Sequence, residues 1–264
     1  MGEALVGNLR IAYELAGAGP ALILLHGGIS DHREWRRQLD ALSDEFTVVA
    51  WDAPGCGQSS DPPESFRLPD YADCLAGFVA TLGLRRPHVL GLSFGAGLAL
   101  EFYRRYPTLP ISLILASAYA GWAGSLPAEV VEQRLRQVLR EAELPADQWV
   151  SGWVPGLLTA NAPDGATDEL IAIIADAHPA GMRVMARSFA EADLRDVLGR
   201  TAVPTLLLYG EADQRVPLSV AEDLHARIPG SRLVVMPGVG HQSNMEAPEL
   251  FSLEVRNFLR SLNL

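Results

Sequence analysis

Gly91-Leu92-Ser93-Phe94-Gly95 is the stretch of this 264-residue chain best suited to covalent chemistry. A serine hydroxyl is a weak nucleophile at neutral pH and needs a neighbouring base, a group to orient that base, and donors for a developing oxyanion. The apolar run Val89 to Leu92 precedes Ser93 and a helix-like run follows it, so the serine falls on a sharp strand-to-helix turn. Gly91, Gly95 and Gly97 keep such a crowded turn free of side chains. The competing reading is a serine that merely caps the next helix.

His26-Gly27-Gly28 follows the apolar run Ala21–Leu25. Glycine there lets a backbone N–H approach a substrate oxygen closely. The expected oxyanion donors are the backbone N–H groups of Gly28 and Phe94, the latter at a helix N-terminus, where free N–H groups favour negative charge. His26 reads as structural, lying one loop behind the donor.

Two carboxylates compete for the orienting role. Glu211 and Asp213 both lie just past the apolar run Val203–Tyr209. In α/β sheets ligands and chemistry gather at the C-terminal ends of the strands. Val239-Gly240-His241 follows the next strand and supplies a histidine whose loop can bend inward, a general base for the serine proton. Of the other histidines, His32, His88, His178 and His225 read as surface or packing residues, with His32 the one other candidate for a pocket wall.

The elements that must position these groups form an alternation of short apolar runs and amphipathic stretches, the pattern of a parallel sheet covered by helices. Strands are expected at 3–6, 9–15, 21–25, 46–51, 88–92, 111–116, 203–209 and 232–236. Helices are expected at 32–42, 69–82, 94–106, 217–228 and 247–262. Between about Gly121 and Arg200 the rhythm stops and helical candidates take over, at 128–143, 148–159, 167–177 and 181–191. That length is too great for a plain loop. The expected organisation is therefore a core of residues 1–120 and 201–264, with a helical cap, or lid, at 121–200 inserted after the sixth strand.

Composition narrows the chemistry. Net charge is −11, which disfavours nucleic-acid backbones and anionic membrane surfaces as partners. All 21 basic residues are arginine, so lysine Schiff bases, P-loop lysines and Ser-Lys dyads are excluded. Cys56 and Cys74 are too few for a disulfide framework. The first ten residues do not read as a signal peptide, and no apolar run reaches membrane-spanning length, so a cytoplasmic protein with free thiols is expected.

Together the motifs resemble the α/β-hydrolase superfamily over essentially the whole chain. The matching residues are His26-Gly27-Gly28, the loop Asp52-Ala53-Pro54-Gly55-Cys56-Gly57-Gln58-Ser59, Gly91-Leu92-Ser93-Phe94-Gly95, Gly210-Glu211-Ala212-Asp213 with Val216-Pro217, and Gly240-His241. They look like the subgroup of small carboxylesterases, lactonases, carbon–carbon bond hydrolases and cofactor-free haloperoxidases. The resemblance implies an eight-stranded, mostly parallel sheet with a four-helix cap, a structural role for the Asp52 loop, and Asp213 rather than Glu211 as the acid. It implies a catalytic set of Ser93, Asp213 and His241, in the chain order expected of this fold. A serine nucleophile argues against dehalogenation. The short run Gly28-Ile29-Ser30 after His-Gly weakens carbon–carbon hydrolysis.

The expected function is cleavage of a small apolar or aryl carboxylic ester through an acyl-enzyme, without metal or organic cofactor, and with a small-molecule substrate as the partner. Trp122, Trp149, Trp153, Leu157, Met182 and Met185 are the expected pocket walls, against the plainer alternative that they pack the cap onto the core. Lactone opening, carbon–carbon cleavage, perhydrolysis and a receptor role on the same fold are the alternatives.

Overall fold

The computed structural model describes residues 1–262. Eight strands form one sheet: β1 (Gly2–Val6), β2 (Leu9–Ala16), β3 (Ala21–Leu25), β4 (Thr47–Trp51), β5 (His88–Leu92), β6 (Ser112–Ala116), β7 (Thr205–Gly210) and β8 (Arg232–Met236). Their spatial order is β1-β2-β4-β3-β5-β6-β7-β8. The β1–β2 and β2–β4 pairs are antiparallel, and every later pair is parallel.

The continuous apolar runs of the inner strands follow from burial on both faces. Alternate residues point to opposite sides of the sheet. Ile23, Leu25, Val89, Leu113, Leu115 and Leu207 join one core, covered by α2 (Leu68–Thr81) and α3 (Phe94–Arg105) through residues such as Phe78 and Phe102. Leu22, Leu24, Leu90, Ile114, Leu206 and Leu208 join the other. That face is covered by α1 (Arg36–Leu42) and, near the C-terminus, by the helix Pro248–Ser261, which presents Phe251, Val255 and Phe258.

Between β6 and β7 the chain is helical: α4 (Trp122–Ser125), α5 (Ala128–Glu141), α6 (Ala166–Ala175), α7 (Pro179–Glu191) and α8 (Arg195–Leu198). This segment has its own apolar cluster, including Val138, Trp149, Leu170 and Ile173. The helix expected at 148–159 is absent. Ala146–Gln148, Val150–Gly152 and Val154–Gly156 are three short 3₁₀ turns instead. Gly152, Pro155 and Gly156 account for it: proline removes a helical hydrogen bond and glycine is a poor helix former.

The remaining helices are α9 (Leu218–Arg227), α10 (Ser243–Glu246) and α11 (Pro248–Ser261). Helix α7 meets the Asp52 loop backbone to backbone. A Cβ on Gly181 would lie 1.8 Å from the carbonyl oxygen of Gly55. Cys56 and Cys74 are buried free thiols. Among the described residues no helix is long and apolar enough to cross a membrane.

Candidate active site

Ser93 turns the chain from β5 into α3 with φ 53° and ψ −109°. A non-glycine residue at positive φ is strained by roughly 1–3 kcal/mol and persists only where the surroundings impose it. Here they do. A Cβ on Gly91 would fall 2.2 Å from the backbone of Gly95, and one on Gly95 would fall 2.1 Å from the carbonyl oxygen of Leu25. The parallel registers Leu25↔Gly91 and Leu92↔Ala116 place Ser93 at the C-terminal edge, beside the loop that leaves β3.

That loop carries Gly28 against Phe94, with 3.8 Å between a Cβ built on the glycine and the Cβ of Phe94. Among the described residues neither Gly28 N–H nor Phe94 N–H donates to a protein acceptor, and both residues line the cavity that Ser93 lines. The loop is braced from behind. His26 donates from Nδ1 to the Gly27 carbonyl at 2.7 Å, and its Nε2 accepts the Ala53 N–H at 3.0 Å. Burial lowers the pKa of His26, which suits this neutral, structural tautomer. Buried Glu34 accepts the Gly27 N–H at 3.1 Å, the Ser30 hydroxyl at 2.5 Å and the Gln242 amide at 3.3 Å. One carboxyl thus ties the loop of Gly28 to the residue after His241.

Asp213 lies past the end of β7 and His241 past the end of β8. His241 Nδ1 donates to Asp213 Oδ2 at 2.9 Å, and both side chains are shut off from solvent. Asp213 Oδ1 accepts the N–H groups of Arg215 and Val216 at 2.8 and 3.0 Å. Burial works to raise the Asp213 pKa, but the His241 imidazole and the two N–H groups outweigh it, and the pKa is lowered. The Ser117 hydroxyl donates to the His241 carbonyl at 3.2 Å. A Cβ on Gly210 would strike the Val239 carbonyl at 2.2 Å, so β7 must end in glycine for the histidine loop to cross it. Glu211 points elsewhere and accepts the Gly238 N–H at 3.0 Å.

Ser93, His241, Gly28 and Phe94 line one cavity. Among the described residues the Ser93 hydroxyl and the imidazole form no hydrogen bond with each other. Trp122, Trp153, Leu157, Met182 and Met185 line the same cavity. Trp149 does not: its ring lies in the apolar cluster of the helical segment. The pocket role expected for it is corrected accordingly: of the two alternatives, it packs the helical segment. His32 is also away from the cavity, donating to Asp52 at 2.7 Å and so bracing the Asp52 loop.

The alpha/beta hydrolase fold family matches residues 20–248. The chain belongs to that family. An esterase from Thermogutta terrifontis is 31% identical, with 97% of this chain and 95% of that one covered and a TM-score of 0.90. The pimeloyl-[acyl-carrier protein] methyl ester esterase of Vibrio campbellii is 26% identical over 256 residues, covering 95% of this chain and 99% of its own. The enol-lactonase of Burkholderia xenovorans LB400, at 22% identity and TM-score 0.90, covers 98% of this chain and 100% of its own and shares the fold.

This α/β-hydrolase has cavity residues that its sequence did not disclose. Arg215, Arg134 and Gln242 reach the cavity, and Glu34 stands behind it. Arg215 had one available signal, its place two residues after Asp213. Arg134 had none, because an arginine on an amphipathic helix reads as solvated until the face it presents is known.

Proposed function

We propose that the protein is a serine hydrolase that cleaves a small carboxylic ester by an acyl-enzyme mechanism. The observation that carries this reading is the buried His241–Asp213 pair opening onto the cavity that holds the strained Ser93. Asp213 fixes the imidazole with its proton on Nδ1, so Nε2 is the proton acceptor. Ser93 Oγ attacks the ester carbonyl carbon as its proton passes to His241. The N–H groups of Gly28 and Phe94 receive the oxyanion; such a donor typically supplies ~3–4 kcal/mol. The tetrahedral intermediate then expels the alcohol, which takes the proton from His241. Water, deprotonated by the same imidazole, attacks the acyl-serine, and the acid leaves as Ser93 regains its proton. The helical segment serves as the cap, and its Trp122, Trp153, Leu157, Met182 and Met185 give an apolar acyl or aryl group its walls.

The test is labelling with a fluorophosphonate probe together with turnover on esters of graded chain length, lactones and dienoates. Wild-type protein should be labelled at Ser93 and hydrolyse esters, and Ser93→Ala should lose both while keeping its fold. Labelling that persists in Ser93→Ala, or turnover confined to lactones or dienoates, would overturn the reading.

A further inference from the structure

The cavity is walled by tryptophan, methionine and aliphatic side chains, yet two guanidinium groups enter it, those of Arg215 and Arg134. Many arginines of this acidic chain have carboxylate partners, among them Arg33 with Asp31, Arg37 with Glu169 and Arg67 with Glu191, whereas Arg36, Arg85, Arg86 and Arg140, which pair with none among the described residues, are exposed to solvent. Among the described residues no carboxylate oxygen lies within 4.0 Å of a guanidinium nitrogen of Arg215 or Arg134. Both residues are half-buried, and two like charges beside one another against apolar walls repel, so an anion in the cavity would be favoured by both.

Both groups are held in place without being neutralised. The Arg215 guanidinium stacks on the Trp153 ring, 4.2 Å from its centre. Among the described residues it gives none of its five N–H donors to a protein acceptor. Arg134 donates to the Tyr119 hydroxyl at 2.8 Å and to the Arg215 carbonyl at 2.9 Å, and the Tyr119 hydroxyl donates to that same carbonyl. Its remaining donors are uncommitted. The nearby carboxylates are engaged elsewhere. Glu141 accepts from Trp153 Nε1 at 2.8 Å and from Gln137 at 2.9 Å, and Asp213 holds His241. Burial, and then the charge of Arg134, lower the Arg215 pKa, as expected for a cation that lacks a counter-charge.

We propose that Arg215 and Arg134 receive a free carboxylate on the substrate, so that the enzyme prefers esters carrying a second, anionic carboxyl group at the far end of an apolar spacer. This names the substrate class of the site and rests on the hydrolase reading above. The planar guanidinium fork matches a carboxylate with two parallel hydrogen bonds, and the apolar walls suit the methylenes between the two carboxyl groups.

The experiment compares kcat/KM for matched ester pairs. One arm sets the monoethyl esters of succinic, glutaric and adipic acid against ethyl butyrate, valerate and hexanoate, placing the carboxylate on the acyl side. The other sets the butyryl ester of glycolic acid against propyl butyrate, placing it on the alcohol side. A carboxylate preference of about 10- to 100-fold, expressed mainly in KM, is expected in one arm. Arg215→Met and Arg134→Met should each shrink that ratio, and Arg215→Lys should recover part of it by keeping the charge. Equal or better turnover of the neutral esters in both arms, or a preference that survives Arg215→Met and Arg134→Met, would overturn the proposal. Ser93 labelling separates the two failures. With Ser93 labelled and neutral esters cleaved, only the carboxylate assignment falls; with Ser93 unlabelled and no ester cleaved, the hydrolase reading falls and takes this one with it.

Discussion

Asp213 and His241 meet at 2.9 Å through one carboxylate oxygen, while the other oxygen is pinned by two backbone N–H groups. A carboxylate fixed at both ends dictates the tautomer and the direction of the ring. Asp213→Asn should lower turnover by ~10⁴-fold with little loss of stability. Glu211→Gln, whose side chain serves the Gly238 N–H, should leave turnover within about threefold. Steady-state kinetics on both variants checks this; the reverse ranking would move the acid to Glu211.

Gly95 leaves no room for a side chain, its Cβ position being 2.1 Å from the Leu25 carbonyl and 2.7 Å from that of His26. Backbone cannot yield as a flexible side-chain tip can. Gly95→Ala is expected to cost about 2–4 kcal/mol of stability and to push Phe94 N–H off the cavity. Thermal unfolding and fluorophosphonate labelling rates would register both effects. An unchanged melting temperature would mean the turn can relax.

Glu34 gives a pH signature. Burial pushes its pKa up to about 7, against hydrogen bonds from Ser30, Gly27 and Gln242 that favour the ionised form. The ordinary value is 4.5, so between 4.5 and about 7 the folded state keeps a proton that the unfolded chain releases. Stability should therefore fall as pH rises through that window and level off above it. Glu34→Gln removes the titration, so its melting temperature should decline less than that of the wild type from about pH 5 to about pH 8. Parallel profiles from scanning calorimetry would show that Glu34 does not titrate there.

The reading of the sheet and its edge came through the sequence almost residue by residue. Ala21–Leu25, His88–Leu92 and Arg232–Met236 are strands at the limits expected of them. Apolar runs bounded by glycine and proline mark strands, the inner two here buried on both faces and the edge strand Arg232–Met236 only in part. Chain order and topology brought a carboxylate of the β7 loop towards His241, while the choice of Asp213 over Glu211 came from the family resemblance. The walls of the cavity were less legible. Trp149 packs within the helical segment, the plainer of the two alternatives weighed for it, while Trp153 and Leu157 of the same stretch do line the cavity. Arg215 over Trp153 and Arg134 against Tyr119 depend on how the helical segment lies on the sheet, which local periodicity does not encode.

Glu246 joins two parts of the site. Its carboxyl group accepts the Gly240 N–H and the Thr159 N–H, each at 3.1 Å, and the Thr159 hydroxyl as well. Glu246→Ala should cost about 2–4 kcal/mol and slow turnover by roughly tenfold as the histidine loop loosens. Calorimetry with kinetics on the same preparation checks it. Full activity in a destabilised variant would confine Glu246 to stability.

The approach of Gly181 to Gly55 sets terms for anyone grafting helical segments between homologues. The joint tolerates no side chain on either strand of backbone. A donor segment arriving with alanine at the first position, or a recipient scaffold holding it at the second, would be wedged away from the sheet. Chimeras should therefore be screened first for glycine at both points, before any attention goes to residues that touch substrate.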